Sequence, residues 1–353
     1  MQTFAQLRAR ARQERTEGRY LAAARLEHQA AECAGALGRL GERRRALLWE
    51  GYSLRQAGED DLALALLLQV LSDQSATADP ADEFAALVAI LHLSLEMKPV
   101  AFCRALLESA RQQLVERNQP WAAALDYLEG ELAYRRGDFA AAWNGHRRAW
   151  DGWRDVHPRL TAATHLWALA RTAFRCRDAA ALERWTAALV ALEPVSVVEQ
   201  QLVRRAQLLT WRARRLAAAD EAAPVALAVQ VLTIAAEGAH DFGARGEALQ
   251  VLALAGRWEE LDAALSRQAL PADHFASALL LGDLALQRAR AARRWPAVDD
   301  DAGQEPGARL TESEALSATA TAPFQTALLL GVREDARLET TWHSAMIQER
   351  LKR

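Results

Sequence analysis

Four short segments of this chain resemble one another, and their spacing limits its possible folds more than any other feature. They begin at Gly18, Gly58, Gly137 and Gly256, and each runs into a stretch that favours a helix, as in Gly58-Glu-Asp-Asp-Leu-Ala-Leu. Glycine suits the left-handed residue that ends a helix, and acidic side chains stabilise the first turn of the next one. Each segment is therefore predicted to be a turn between two helices.

Weaker copies of the same segment complete a regular series. Lys98-Pro99 and Arg177-Asp178 stand where further helices would begin, since proline is tolerated in a first helical turn. The turns at positions 18, 58, 98, 137 and 177 are 39 or 40 residues apart, and a fixed period of this kind is typical of repeat architectures. Poorer copies near Ala219-Asp220 and Arg294-Trp295-Pro296 make the second half less regular.

The composition agrees with a helical array. Alanine, leucine, arginine and glutamate are strong helix formers, and the 353 residues include only 10 prolines and 18 glycines. We predict an all-α fold, an α-solenoid of seven or eight stacked antiparallel helix hairpins. It would comprise the repeat array in residues 1–298, a polar loop in 299–310 and C-terminal capping helices in 311–353.

Small residues recur at fixed distances from the early turns. In the best-defined repeat they are Gly130, before the turn at Gly137, and Ala142, after it. Small side chains at both places let antiparallel helices pack at interaxial distances of roughly 8–10 Å. We therefore predict that Gly130 and Ala142 face each other across one hairpin.

These segments resemble the tetratricopeptide repeat. Gly137-Asp-Phe-Ala-Ala-Ala-Trp through Ala149, preceded by Gly130, carries the resemblance best, and it covers roughly residues 4–265. The period is nearer 40 residues than the roughly 34 usual in that family, and in this respect the chain is similar to helical sensor domains of bacterial regulators. The resemblance implies a right-handed superhelix whose concave surface is lined by the first helix of each pair and binds proteins or peptides.

Motifs that carry catalytic or metal chemistry are missing from the sequence. The three cysteines are widely spaced, no HExxH or Cys/His cluster is present, and there is no Gly-rich phosphate loop or GxSxG segment. We therefore predict a non-enzymatic protein with no cofactor and no metal site. The apolar runs are shorter than the roughly 20 residues of a membrane span, and the first residues lack a secretory pattern, so a cytoplasmic location is expected.

One stripe of each first helix combines arginines with aromatic residues at helical spacing. The predicted binding residues are Arg8, Arg12, Arg45, Tyr52, Arg55, Tyr127, Tyr134, Arg135, Trp167, Arg171 and Arg175. Arginine pairs with carboxylates and phosphates, and aromatic rings supply contact area. A solvated helix face rich in arginine would look similar, so both interpretations stand. Replacing Arg12, Arg55 and Arg171 by glutamate is expected to abolish binding and, as exposed changes, to leave the fold intact.

The stripe predicts a protein or peptide partner with an acidic or carboxylate-bearing segment. The alternative is a regulator that senses a small anionic molecule or a signalling peptide. Single-stranded nucleic acid is a third, weaker possibility, because the net charge is −3 and such modules usually have a pI above about 9. The asparagines that hold peptide backbones in many tetratricopeptide proteins are nearly absent, with only Asn118 and Asn144.

Overall fold

A computed structural model describes residues 3–72, 80–117, 122–153, 159–216, 223–237, 242–267, 270, 275–294, 306–338, 340 and 342–351. These residues form seventeen α-helices and no β-strand, so the predicted all-α fold is confirmed. The helices are α1 Phe4–Thr16, α2 Tyr20–Ala36, α3 Leu40–Ala57, α4 Asp60–Ser72, α5 Pro80–Met97, α6 Val100–Arg117, α7 Ala122–Arg135, α8 Phe139–Trp153, α9 Arg159–Arg175, α10 Ala179–Val190, α11 Val197–Leu216, α12 Val225–Glu237, α13 Phe242–Leu254, α14 Trp258–Arg267, α15 Phe275–Arg294, α16 Pro306–Leu338 and α17 Trp342–Leu351.

Consecutive helices pack against each other as a solenoid of hairpins. The contacts join α1 to α2, α3 to α4, α5 to α6, α7 to α8 and α9 to α10. We call the earlier member of each of these pairs a first helix, and we extend the term to α11. First helices of neighbouring pairs also contact each other: α3 contacts α5, and α5 contacts α7. Side chains of successive first helices can therefore meet on one face of the array.

Most of the turns at the predicted repeat boundaries have a left-handed residue, and the turn at Lys98 does not. Gly18, Gly58, Gly137 and Gly256 have φ values of 79°, 82°, 79° and 69°. Arg177, at the weaker copy, has a φ of 59°. At Gly137 the backbone N–H of Asp138 donates to the carbonyl of Ala133 at 3.0 Å, which satisfies a carbonyl left free at the helix end. The copy near 219–220 lies outside the described residues.

Apolar and small side chains of the first helices pack the array. Leu7 and Ala11 of α1 are buried against α2, and Leu166, Ala170 and Ala173 of α9 are also buried. Glycine is needed where helices come closest: a Cβ on Gly145 would lie 2.8 Å from the Cα of Gly130. A Cβ on Gly130 would in turn lie 2.7 Å from Nε2 of His146. The nearest neighbours of Gly130 across the hairpin are therefore Gly145 and His146, about one helical turn beyond the predicted partner, Ala142.

The chain divides into two compact units. The first contains residues 1–210 and 237–241, and the second contains residues 211–236 and 242–353. In the second unit Phe324 of α16 fills the space left by Gly282 of α15, and Ala278, Ala327 and Ile347 complete a small core. Helix α16 thus packs on α15, and α17 packs on α16. The predicted polar loop at 299–310 falls mostly outside the described residues, and α16 already begins at Pro306.

The first unit brings distant repeats together. A Cβ on Gly18, in the turn after α1, would lie 3.8 Å from a methyl carbon of Val197 at the start of α11. The array of this unit therefore curves back toward its own start. Within the described residues, none of the helices combines the length and apolar character that crossing a membrane requires.

Candidate binding site on the first helices

Ring and guanidinium contacts join α3, α5, α7 and α9 in one cluster. We define the central cluster as Arg55, His92, Tyr127, Glu131, Tyr134, His146, His165 and Arg171. Arg55 Nη2 lies 3.2 Å from Nδ1 of His92. The His92 and Tyr127 rings are 5.5 Å apart, and Tyr127 meets the edge of His165 at 5.0 Å. Four of the predicted binding residues, Arg55, Tyr127, Tyr134 and Arg171, therefore belong to a single cluster.

Glu131 is the carboxylate at the centre of this cluster. Its side chain is 6% exposed and forms an ion pair with Arg171 of α9. The same oxygen lies 3.1 Å from Nε2 of His146, which is fully buried on α8. One carboxylate thus connects three consecutive helices, α7, α8 and α9.

His146 can occupy this position because its neighbours lack side chains. A Cβ at Gly130 would lie 2.7 Å from Nε2 of His146, which is too close for a side chain. Because Gly130 has no Cβ, the imidazole ring fits there. On its other side, Nδ1 of His146 lies 3.1 Å from the hydroxyl oxygen of Thr172 on α9. The Thr172 hydroxyl also lies 2.7 Å from the carbonyl of Ala168, to which it donates.

Arg171 and Arg175 both interact with Tyr134. The guanidinium of Arg171 lies over the Tyr134 ring, 4.4 Å from its centroid, and Nε of Arg175 donates to the Tyr134 hydroxyl at 3.3 Å. Such an arrangement stabilises a cation against an aromatic face. The Arg171 side chain is 20% exposed, so part of it can be reached from solvent.

The charges around His92 are predominantly positive. Burial lowers the pKa of His92 well below its ordinary value, and Arg55, Arg135 and Arg171 lower it further. Glu131 acts in the opposite direction. The positive groups oppose a further positive charge on His92, and the same field favours an anion near it.

The buried acid groups respond to the same surroundings. Burial raises the pKa of Glu131, but its interactions with Arg171 and His146 outweigh burial and hold that pKa well below its ordinary value. Burial also raises the pKa of Tyr127, and the nearby Glu131 carboxylate adds to this effect. Glu131 is therefore ionised and Tyr127 is neutral around pH 7.

A second group of predicted residues lies at the start of the array. In this amino-terminal cluster Arg8 and Arg15 of α1 both pair with the fully buried Glu27 of α2, at 2.9 Å and 2.6 Å. Arg15 also lies over the ring of Trp49, 4.5 Å from its centroid. Arg12 is exposed and makes no ion pair with the part of the chain that the structure describes.

The remaining predicted residues lie on the same helices but outside these two clusters. Arg45 pairs with Asp82 at 3.2 Å. The Tyr52 ring meets the edge of Trp49 at 5.6 Å. Trp167 is buried, 5% exposed, beneath Arg205 of α11, so it supports the surface rather than forming it. Several predicted arginines are thus engaged with carboxylates of the chain itself.

Sequence reasoning did not assign His92, Glu131, His146 or His165 to the site. A signal was present for two of them: His92, Glu131 and Arg171 each stand six residues before a turn, at 98, 137 and 177. Repeats that stack in register place such equivalent positions side by side. His146 and His165 carry no such signal, because their contacts depend on the spacing between helices.

The described residues contain no group of three or more His, Cys, Asp or Glu side chains arranged to hold a metal ion. The chain matches no known protein-family model, and no curated protein is significantly similar to it.

Proposed function

We propose that this chain is a non-enzymatic, tetratricopeptide-like repeat protein that binds an acidic or carboxylate-bearing segment of a protein partner. The binding surface would be the central cluster with the neighbouring Arg135 and Arg175. Because the site is built from first helices of consecutive repeats, its shape depends on how those repeats stack. Nothing in the arrangement requires a reacting group, and its chemistry is that of recognition.

The observation that supports this proposal most is the field at His92. Among the groups that shift the pKa of His92, three arginines from α3, α7 and α9 lower it. One carboxylate, Glu131, raises it. Tyr127, Tyr134 and the histidines add aromatic contact area around the same point. Guanidinium groups beside aromatic rings are well suited to binding carboxylates.

A small anionic ligand is the second candidate, and the compactness of the cluster favours it. The rings of His92, His146 and His165 all lie within 5.6 Å of Tyr127, centroid to centroid. A compact site suits one anionic group, whereas an extended segment would also use Arg12 and Arg45 at the start of the array. Substitution of Arg12 and Arg45 therefore separates the two candidates, since only the extended segment would bind less tightly.

A binding experiment with a short polyglutamate peptide tests the proposal. The variant combines Arg55→Gln with Arg175→Gln, and the control is Arg148→Gln on α8, whose guanidinium is 54% exposed and pairs with Asp126 and Glu129. Loss of one charged hydrogen bond costs about 1.5–3 kcal/mol, so affinity should fall about tenfold or more in the double variant. The control should bind as the wild type does.

The salt dependence of binding supplies a second readout. Affinity of the wild type should decrease as the ionic strength rises from about 0.05 M to about 0.5 M, because exposed charges are screened over shorter distances. Equal affinity of the double variant and the control, or binding that does not depend on salt, would contradict the proposal.

A further inference from the structure

Arg171 is the arginine of the central cluster with the closest internal carboxylate. Glu131 binds one edge of its guanidinium, and Tyr134 covers one face. Its Nε is buried and has no hydrogen-bond partner within the part of the chain that the structure describes. A guanidinium offers five N–H donors, so Arg171 is incompletely satisfied even with Glu131 in place. An external carboxylate that approaches Arg171 must compete with Glu131 or share the guanidinium with it.

Glu131 has other partners that can hold it if Arg171 turns toward a ligand. Nε2 of His146 lies 3.1 Å from its carboxylate, within ion-pair distance, and the Tyr127 side chain interacts with the carboxylate electrostatically. These two groups belong to α8 and α7, so they do not depend on the position of Arg171 on α9. The His146 ring therefore stays beside the carboxylate in either arrangement.

The hydrogen bonds around His146 accommodate an additional proton. When Thr172 donates to the Ala168 carbonyl at 2.7 Å, its single hydroxyl proton is used, and Nδ1 of His146 must be the donor across the 3.1 Å contact. Nε2 can then donate to Glu131 only if the ring carries both protons. When the ring is neutral, Thr172 turns to donate to Nδ1, and the proton on Nε2 faces the Glu131 carboxylate 3.1 Å away. Protonation of His146 therefore needs only the rotation of one hydroxyl.

We infer that Glu131 is an internal competitor for Arg171, which it occupies until an external carboxylate binds and His146 becomes the principal partner of Glu131. This inference rests on the proposed function, because it assigns the regulation of the same site. Among the described residues, the charged and titratable groups that face His146 are Tyr127 and Glu131 from α7 and Arg171 from α9, with His92 and His165 beyond the Tyr127 ring; Thr172 of α9 contacts it as a neutral hydroxyl.

The competition couples anion binding to proton uptake. Burial lowers the pKa of His146, and Arg171 lowers it further, whereas Glu131 raises it. An anion on Arg171 offsets the effect of that arginine, so binding favours the protonated ring. By linkage, protonation of the ring favours the anion to the same extent. Because the pKa of His146 is lowered, affinity for an acidic peptide should rise only as the pH falls below the ordinary histidine value of 6.5, while peptide carboxylates are still charged.

The test compares Glu131→Gln with Glu129→Gln in the full chain. Both changes remove one negative charge from α7, but Glu129 pairs with Arg111 and Arg148 on the other side of the helix. Affinity for the polyglutamate peptide is measured between about pH 7.5 and about pH 5.5. E131Q should bind about tenfold more tightly than the wild type at the higher pH, since a competing charged hydrogen bond is removed. It should also lose most of the pH dependence, whereas E129Q should behave as the wild type does.

Two outcomes distinguish this inference from the proposed function. The inference alone would be overturned if the wild type binds the peptide and a folded E131Q binds it no more tightly. A wild-type affinity that does not change with pH would have the same consequence. Absence of binding by the wild type and E131Q alike would overturn the proposed function as well. If E131Q loses its helical circular dichroism signal, His146→Gln takes its place: this variant should abolish the pH dependence, and retention of that dependence would overturn the inference.

Discussion

At the scale of single residues, Gly130 shows how tertiary context reverses a general preference. Alanine is about 1 kcal/mol more favourable than glycine inside an exposed helix. At Gly130, however, the added Cβ would lie 2.7 Å from Nε2 of the fully buried His146. Gly130→Ala should therefore destabilise the protein by about 1–3 kcal/mol, the usual cost of overpacking a core.

Urea unfolding of Gly130→Ala beside Gly152→Ala tests this expectation. Among the described residues, a Cβ on Gly152 would meet only the Cβ of Ala123, at an ordinary 3.5 Å. The control should be neutral or slightly stabilising, by up to about 1 kcal/mol. Equal stability of the two variants would show that α7 and α8 are not packed as closely as described.

At the scale of helices, the Arg8–Glu27–Arg15 group fastens α1 to α2. Glu27 is fully buried and pairs with two arginines whose side chains are 19% and 12% exposed. Removing one member of a buried ionic group leaves uncompensated charge and costs about 3–5 kcal/mol. Glu27→Ala should therefore destabilise the first unit by about that amount and increase hydrogen exchange in α1.

Glu32→Ala on the same helix provides the matched control. The Glu32 side chain is 69% exposed, and its ion pair with His28 is 3.6 Å long. Exposed pairs contribute little, so this change should alter stability by less than about 0.5 kcal/mol. If the amides of α1 were equally protected from hydrogen exchange in the two variants, Glu27 would not stabilise the packing of α1 on α2.

The expected tolerance to charge reversal has to be revised for one arginine. Replacement of Arg171 by glutamate was expected to leave the fold intact, on the assumption that Arg171 is simply exposed. The structure places it against the buried Glu131, so the change would bring two carboxylates together in a buried site. The same reasoning does not affect Arg12, which is exposed.

At the scale of the whole molecule, the buried histidines and Glu131 make stability depend on pH. His92 and His146 have a lowered pKa in the folded state, so the unfolded chain binds more protons once the pH falls below the ordinary histidine value of 6.5. Glu131 has a lowered pKa as well. Its contribution is complete above the ordinary value of 4.5 and is lost as the pH falls toward the folded-state pKa.

The free energy of unfolding should therefore decrease in two stages as the solution is acidified. The first stage begins below about 6.5 and the second below about 4.5. Urea titrations between about pH 8 and about pH 4 would reveal both, and His92→Gln should reduce the first stage. A stability that is constant from about pH 7.5 to about pH 5.5 would contradict the lowered pKa of these two rings.

The sequence by itself determined the helices, the turns and the period. These are local properties: a left-handed glycine such as Gly137 and the apolar positions Leu7 and Ala11 are recognisable within a few residues of chain. It also placed Arg55, Tyr127, Tyr134 and Arg171 on one face, because an array in register aligns equivalent positions of successive helices.

Only the tertiary structure decided which of these residues meet and which charges are already neutralised. Arg171 contacts Glu131, 40 residues away in the sequence, and Arg55 contacts His92, 37 residues away. Arg8 and Arg15 share Glu27 instead of facing a partner, and His146 reaches Glu131 because Gly130 has no side chain. Such pairings depend on the distance and rotation between neighbouring helices, to which the periodicity of a single helix is insensitive.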